Sequence, residues 1–379
     1  MNILIYGGSF DPPHTGHFEL LGAALREIPV DRAYILPSAR PAHKRLPWAS
    51  FDERARMLRA GLAGRLAGPM LKKVRLSGYE KTRRGPVYTY QALAHFRRLH
   101  PGARFYLLIG GDQLGAFTTW KKYRRLLSQA TLVVGARRGK DGAALAAKAK
   151  VIWLKGVFPA ISSSEIRLAF LRGEKTAGKI PAAVLRRIER RGLYGLAWLN
   201  RLRRRLNAGR FAHVLQVARL AGSLAERHGA DLEKAAAAAL LHDAGRSLTL
   251  PRMIAYARRH KIKAPLKEEV IARCPILLHA YVGAHMAETE MGVSDPEILS
   301  AIRRHSLGDL RMSPLDKIIF VADAASEDRA FAGAARLRKI AFQNIDRAMR
   351  ETVRMKLAYV KSRGGWIHPL GKKLWRKIR

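Results

Sequence analysis

Two histidines three residues apart, His14 and His17, close the stretch Gly7-Gly8-Ser9-Phe10-Asp11-Pro12-Pro13-His14-Thr15-Gly16-His17. If Thr15 opens a helix, both imidazoles point towards the free N–H groups and positive dipole end of that helix. That spot suits a phosphate, because backbone donors and side-chain donors converge on it. A second polar set lies far along the chain: His213, His242, Asp243, His279, His305 and Asp323. Several of these adjoin strongly apolar runs, such as Leu240-Leu241 before His242 and Ile318-Ile319-Phe320-Val321-Ala322 before Asp323. Burying a carboxylate among several imidazoles is costly, and metal coordination removes that cost. A third stretch, Ile161-Ser162-Ser163-Ser164-Glu165-Ile166-Arg167, reads as a helix N-cap with a capping box. Its free N–H groups can hold an anion, and the Arg167 guanidinium can clamp the same anion from the first turn.

These groups need elements to carry them. Asn2-Ile3-Leu4-Ile5-Tyr6 is an apolar run without polar alternation, as expected of a strand buried on both faces of a parallel sheet. It runs into Gly7 and Gly8, where backbone can approach a ligand without Cβ interference. The apolar periodicity of residues 18–25 predicts the following helix. Residues 32–37, 73–77, 104–109 and 130–137 read as further strands, with helices over 51–62 and 139–150. The strand at 104–109 ends in Gly110-Gly111-Asp112, on the expected ligand side of an open α/β sheet. Beyond residue 209 the pattern is helical throughout, with helices expected over 210–228, 232–244, 275–291, 296–305, 314–325 and 334–363. The fold class is therefore α/β: a Rossmann-like parallel-sheet domain over 1–195, an arginine-rich linker over 196–208, and an all-α domain over 209–379.

With 379 residues the chain can bury two cores. Its single cysteine, Cys274, excludes an internal disulfide framework and suits a reducing cytoplasm. No uncharged apolar run approaches the ~18 residues of a membrane span, and no signal-peptide pattern opens the chain. The net charge of +42 creates a field that attracts polyphosphates and also nucleic acid. The basic residues are spread along both halves without an RNA-binding aromatic motif, so nonspecific RNA binding is a secondary expectation.

The stretch from Gly7 to His17 closely resembles the nucleotidyltransferases with an HxGH motif, and most of all the nicotinate-nucleotide adenylyltransferases. The Ile161–Arg167 stretch resembles that family's Ile-Ser-Ser-Thr-x-Ile-Arg motif, with Ser164 in place of Thr. The resemblance implies that Gly7, Gly8, Ser9 and Phe10 contact substrate and that His14 and His17 act on the α-phosphate. It implies that Ser163, Ser164 and Arg167 hold the leaving pyrophosphate. It also places His43 and Lys44 near the ligand phosphates, Tyr88 and Thr89 beside the nicotinate, Trp120 stacked on the pyridine ring, and Asp112 and Arg137 at strand ends facing the ligand. The implied reaction joins ATP and nicotinate mononucleotide, with Mg²⁺ bridging phosphate oxygens. Val87, Gln91 and Ala92 depart from the usually polar residues around Thr89. An HxGH enzyme with another acceptor is the alternative.

The order His213, His242-Asp243, His279, His305, Asp323 resembles the HD superfamily, and more narrowly its symmetrical diadenosine tetraphosphate hydrolases. By position, all six would be metal ligands, with Asp243 bridging two ions and Arg246 contacting phosphate where lysine is usual. The family prefers iron, whereas the donor set also suits Mn or Zn. Ala280-Tyr281, Ser306-Leu307 and Ala324–Arg329 depart from the family's flanking residues. The alternatives are a hydrolase of another phosphate ester and an inactive basic RNA- or ribosome-binding module.

Overall fold

A computed structural model describes residues 1–41, 47–135, 150–329 and 333–379. The chain divides into two compact units, Met1–Ile166 with Thr176–Tyr194, and Arg167–Lys175 with Gly195–Arg379. His43, Lys44, Arg137 and residues 139–149 of the helix expected over 139–150 lie outside the described residues.

The first unit is built on a six-stranded sheet. Its strands are β1 (Asn2–Gly8), β2 (Arg32–Pro37), β3 (Val74–Leu76), β4 (Arg104–Gly110), β5 (Thr131–Gly135) and β6 (Val151–Leu154). The spatial order is β3-β2-β1-β4-β5-β6, and each neighbouring pair is parallel. Ile3, Leu4, Ile5 and Tyr6 are buried, so β1 is covered on both faces, as its unbroken apolar run requires. The order reverses between β1 and β4, and the crevice beyond their C-terminal ends is where open α/β sheets bind ligands. Gly7-Gly8 and Gly110-Gly111-Asp112 stand at those two ends. A short helix, Gly68–Lys73, takes the start of the strand expected from residue 73. β6 was not expected; Ile152 and Trp153 remain partly exposed on this edge strand, which blurs its apolar signal.

The second unit contains helices and no strand among its described residues. At its centre Leu232–Leu241 presents buried residues from Ala235 to Leu241 on every side. A helix apolar all round is a core helix. Asp231 caps it by accepting from the backbone N–H groups of Glu233 and Lys234, and Asp295 does the same for Glu297 and Ile298 at Pro296–Arg304. Gly245 meets the helix His279–Thr289 so closely that a Cβ on it would lie 2.3 Å from the His279 carbonyl oxygen and 3.0 Å from the Gly283 nitrogen. Only glycine permits that approach, and it brings the segment after His242-Asp243 against His279.

Four expectations change here. Residues 196–205, expected within a linker, form the helix Leu196–Arg205, with Leu199 and Leu202 buried despite the arginine run. Helices also form at Leu250–Arg259, Lys267–Arg273 and Pro369–Ile378. The helix expected over 334–363 is broken into Ala334–Gln343 and Ile345–Ser362, because Asn344 leaves helical geometry and caps the second by accepting from Arg347 N–H. Residues 275–278 are a 3₁₀ turn leading into His279–Thr289. Among the described residues no helix is long and apolar enough to cross a membrane.

Candidate active sites

At the end of β1 the chain turns through Gly7, Gly8, Ser9 and Phe10. The missing Cβ of Gly8 makes room for the buried Phe10 ring, which would lie 3.0 Å from it. Phe10 packs edge-on against Tyr6 and His17, at 5.2 and 4.9 Å between ring centres. Arg54, fully buried, holds the loop by donating to the carbonyls of Ser9, Ser38 and Ala49. Asp11 fastens it from below, accepting from Trp48 and Ala49 N–H and from the Tyr194 hydroxyl at 2.8 Å.

His14 is the N-cap of the helix Thr15–Glu27, and its backbone N–H donates to His17 Nδ1 at 3.1 Å. The two imidazoles stack with centres 3.6 Å apart. With His17 Nδ1 accepting, its proton sits on Nε2, which leaves that atom as a donor. The third motif meets this loop directly: the Ser163 hydroxyl donates to the Pro12 carbonyl at 2.9 Å. Ser162 and Glu165 form a reciprocal capping box at the start of Ser163–Leu171, beside the exposed Ser164. Gly7, Gly8, Ser9, Phe10, His14, His17 and Ser163 thus belong to one loop region of the first unit. The Arg167 guanidinium donates to Glu233, and both residues belong to the second unit.

Asp112, exposed at the end of β4, folds back so that Oδ1 occupies the space a Cβ on Gly110 would approach to 2.5 Å. Tyr88 caps the helix Thr89–Leu99, which starts at Thr89 as expected. Lys121 Nζ lies 4.5 Å over the Tyr88 ring. Trp120 is half-buried against Phe117, with ring centres 5.0 Å apart.

In the second unit the expected ligands converge. His242, His279 and His305 each point Nδ1 at the carbonyl three residues back, Ala239, Ile276 and Ile302, at 2.6, 2.5 and 2.7 Å. Those carbonyls require the proton on Nδ1 and leave each Nε2 lone pair turned inward. His279 Nε2 lies 2.9 Å from His305 Nε2 and 3.4 Å from Asp243 Oδ1. His242 Nε2 is buried with no hydrogen-bond partner, 3.6 Å from Asp243 Oδ2 and 3.9 Å from Asp323 Oδ1. His213 reaches Asp323 Oδ1 at 3.1 Å through Nε2, while its Nδ1 meets Asp328 Oδ2 at 2.8 Å. Two triads share Asp243: His213, His242, Asp243 and Asp243, His279, His305. An orphaned buried Nε2, two inward lone pairs in contact and a shared carboxylate fit metal ions well.

The electrostatics agree. Burial holds His279 down to about 4, lowers His242, and takes His305 well below its ordinary range, so all three stay neutral and able to ligate. For Asp243 burial acts upward, but His242, His279 and His305 outweigh it and hold the carboxyl low. Asp323 is also held well below the usual carboxylate range: burial opposes this, while the His213 hydrogen bond and Lys356 favour ionisation. Arg210 donates to Asp243 Oδ2 at 2.9 Å, and Arg329 donates to Asp323 Oδ1 at 2.5 Å. Arg246 Nε lies 3.6 Å from Asp243 Oδ1.

A cavity of about 590 Å³ opens over this cluster, lined by Asp243, His279, His305 and Asp323 on one side. Six cations, Arg210, Arg246, Arg273, Arg329, Lys356 and Arg363, line it, and Phe320, Val353 and Trp366 form part of its apolar wall. Six positive charges against the carboxylates of Asp243 and Asp323 suit a polyanion. Asp328, Arg210, Arg329 and Lys356 were not singled out in the sequence. Arg210 lies three residues before His213, and Asp328 and Arg329 lie five and six after Asp323, all without a periodic signal, while Lys356 lies near no motif.

The Cytidylyltransferase-like family matches residues 5–169, and the HD domain family matches residues 210–328. Over 331 residues, 86% of this chain and 88% of the relative, the chain is 28% identical to a probable nicotinate-nucleotide adenylyltransferase/Ap4A hydrolase of Mycoplasma genitalium. Its first half is 36% identical to a probable nicotinate-nucleotide adenylyltransferase of Bordetella petrii, over 50% of this chain and 97% of that protein. Its second half is 34% identical to a symmetrical bis(5'-nucleosyl)-tetraphosphatase of Bacillus subtilis, over 44% of this chain and 88% of that protein.

Proposed function

Because the chain belongs to the nicotinate-nucleotide adenylyltransferase family in its first half and to the symmetrical bis(5'-nucleosyl)-tetraphosphatase family in its second, we propose that it is a bifunctional enzyme. The first activity transfers AMP from ATP to nicotinate mononucleotide, releasing pyrophosphate. The second cleaves diadenosine tetraphosphate into two ADP. Both substrates are soluble nucleotides, which suits a cytoplasmic enzyme.

Adenylyl transfer needs in-line placement and charge neutralisation rather than a covalent intermediate. In the proposed arrangement the phosphates lie beyond Gly7 and Gly8, with the His17 Nε2–H donating to the α-phosphate and His14 stacked beside it. Ser163 and Ser164 at the helix start hold the leaving pyrophosphate, and Mg²⁺, when bound with ATP, would neutralise phosphate charge. Arg167 is the proposed clamp on the same anion. Tyr88, Thr89, Asp112 and Trp120 are the proposed acceptor side, together with His43, Lys44 and Arg137 from outside the described residues. The observation that carries this half is the Ser163 hydrogen bond to Pro12, which ties the two motifs together. Incubating the protein with ATP and nicotinate, nicotinamide or pantetheine phosphate acceptors tests it. Fastest turnover with nicotinate mononucleotide is expected; preference for another acceptor would replace this reading.

For the second activity, His213, His242, His279, His305, Asp243 and Asp323 would hold two ions, with Asp243 between them, and Fe is proposed over Mn or Zn. Bound there, the ions supply an activated water and neutralise phosphate oxygens. The chain's own residues do the rest. Arg246 and its neighbouring cations draw in the tetraphosphate, and the Asp328 carboxylate orients His213. The carrying observation is the orphaned, buried Nε2 of His242 beside Asp243 and Asp323. Metal analysis after anaerobic purification tests it: about two transition ions per chain are expected, and none would favour an RNA-binding module.

A further inference from the structure

Lys356 stands apart from the other cations at the metal-capable cluster. Arg210 and Arg329 are each bonded to a carboxylate of the cluster. Lys356 is anchored by the main chain, donating from Nζ to the carbonyls of His305 at 3.0 Å and Ser306 at 3.2 Å. The same ammonium lies 4.1 Å from the centre of the Phe320 ring and 3.9 Å from Asp323 Oδ2. An ammonium has three N–H groups, and two are committed to carbonyls. The third is left for the cavity that Lys356 lines together with His305 and Asp323. Because its anchors are backbone oxygens, its position does not depend on what occupies the cluster. Donors fixed in advance of the reaction are the kind that stabilise developing charge.

Its place in the chain matters too. Lys356 sits on Ile345–Ser362, well beyond residue 328, where the HD match ends. The six ligand positions and Arg246, which stands where lysine is usual, all lie within that match. The wall from residues 353–371 is a second contribution to the same cavity, including Val353, Lys356, Val360, Arg363 and Trp366.

We propose that Lys356 is a catalytic residue of the hydrolase, donating a hydrogen bond to a non-bridging oxygen of the phosphoryl group that is cut. This rests on the tetraphosphatase reading above. In the step, water oxygen bonds to one of the two central phosphorus atoms and the P–O bond to the bridging oxygen breaks. ADP leaves with that electron pair, and the protons of water pass to solvent. Lys356 remains an ammonium throughout and gains its full contact as charge builds on the phosphoryl oxygens.

Two measurements on the full-length protein test this, using Lys356→Met, which keeps an unbranched side chain of similar length without the charge, and Lys356→Arg, which keeps the charge. In the metal-loaded enzyme, Lys356→Met is expected to lower kcat for diadenosine tetraphosphate by about 10²-fold, with metal content unchanged and the arginine variant intermediate. In metal-free protein, calorimetric titration with ADP is expected to show several-fold weaker binding for the methionine variant. Unchanged kcat, or unchanged ADP affinity, overturns the proposal. If wild type cleaves no dinucleoside tetraphosphate, the tetraphosphatase reading fails, and the proposed catalytic role of Lys356 falls with it.

Discussion

Nε2 of His279 stands 2.9 Å from Nε2 of His305, with the Nδ1 of each ring facing a main-chain carbonyl. Both Nδ1 atoms need their protons for those carbonyls, so two lone pairs oppose each other across that gap. A cation between them and Asp243 removes the repulsion. His279→Ala is therefore expected to lose at least one metal equivalent per chain and to lower tetraphosphate hydrolysis by more than about 10²-fold. Adenylyl transfer by the same variant is expected within two-fold of wild type. Elemental analysis of anaerobically purified protein checks it, and wild-type metal content would exclude His279 as a ligand.

The metal-free protein should be acid-sensitive in a defined window. Burial keeps His279 neutral down to about 4 and lowers His242 and His305 as well. An unfolded histidine takes up its proton near pH 6.5. Between about 6.5 and 4 the unfolded chain therefore binds more protons, and stability falls as pH falls, by about 1.4 kcal/mol per pH unit for each such histidine. Asp243 and Asp323, held low, extend the loss below their ordinary range. Unfolding midpoints of chelator-treated protein should decline from pH 6.5 downward; a midpoint independent of pH down to 4.5 would contradict the buried neutral histidines.

In the first unit, His17 Nδ1 accepts from His14 N–H, which places its proton on Nε2. His17→Ala removes one preorganised donor, so turnover should drop by at least about 10²-fold with ATP affinity little changed. Steady-state kinetics beside an ATP-binding titration read the two effects separately. Wild-type turnover would remove His17 from the reaction.

The opening strand and its glycine turn were legible because their signal is local. An unbroken apolar run, two glycines and a helix start each follow from neighbouring residues. The metal-capable cluster was legible as a set of polar residues embedded in apolar helices, and His213, His242, Asp243, His279, His305 and Asp323 do come together. What stayed hidden depends on tertiary placement. Asp328 matters only because the fold sets it against His213, and Lys356 reads in sequence as one more cation of a basic amphipathic helix. Leu196–Arg205 was read as part of a linker because its four arginines obscured the buried Leu199 and Leu202. Gly245 gave no sign of its closeness to the His279 carbonyl, which is set by the crossing of two segments.

The central claim is that the cluster around Asp243 cuts diadenosine tetraphosphate at its midpoint. Anaerobic incubation of the purified protein with diadenosine tetraphosphate and Fe²⁺ or Mn²⁺, followed by separation of the nucleotides, tests it most directly. Two ADP for each substrate consumed is the predicted result; AMP with ATP, or no cleavage by metal-loaded protein, would contradict it.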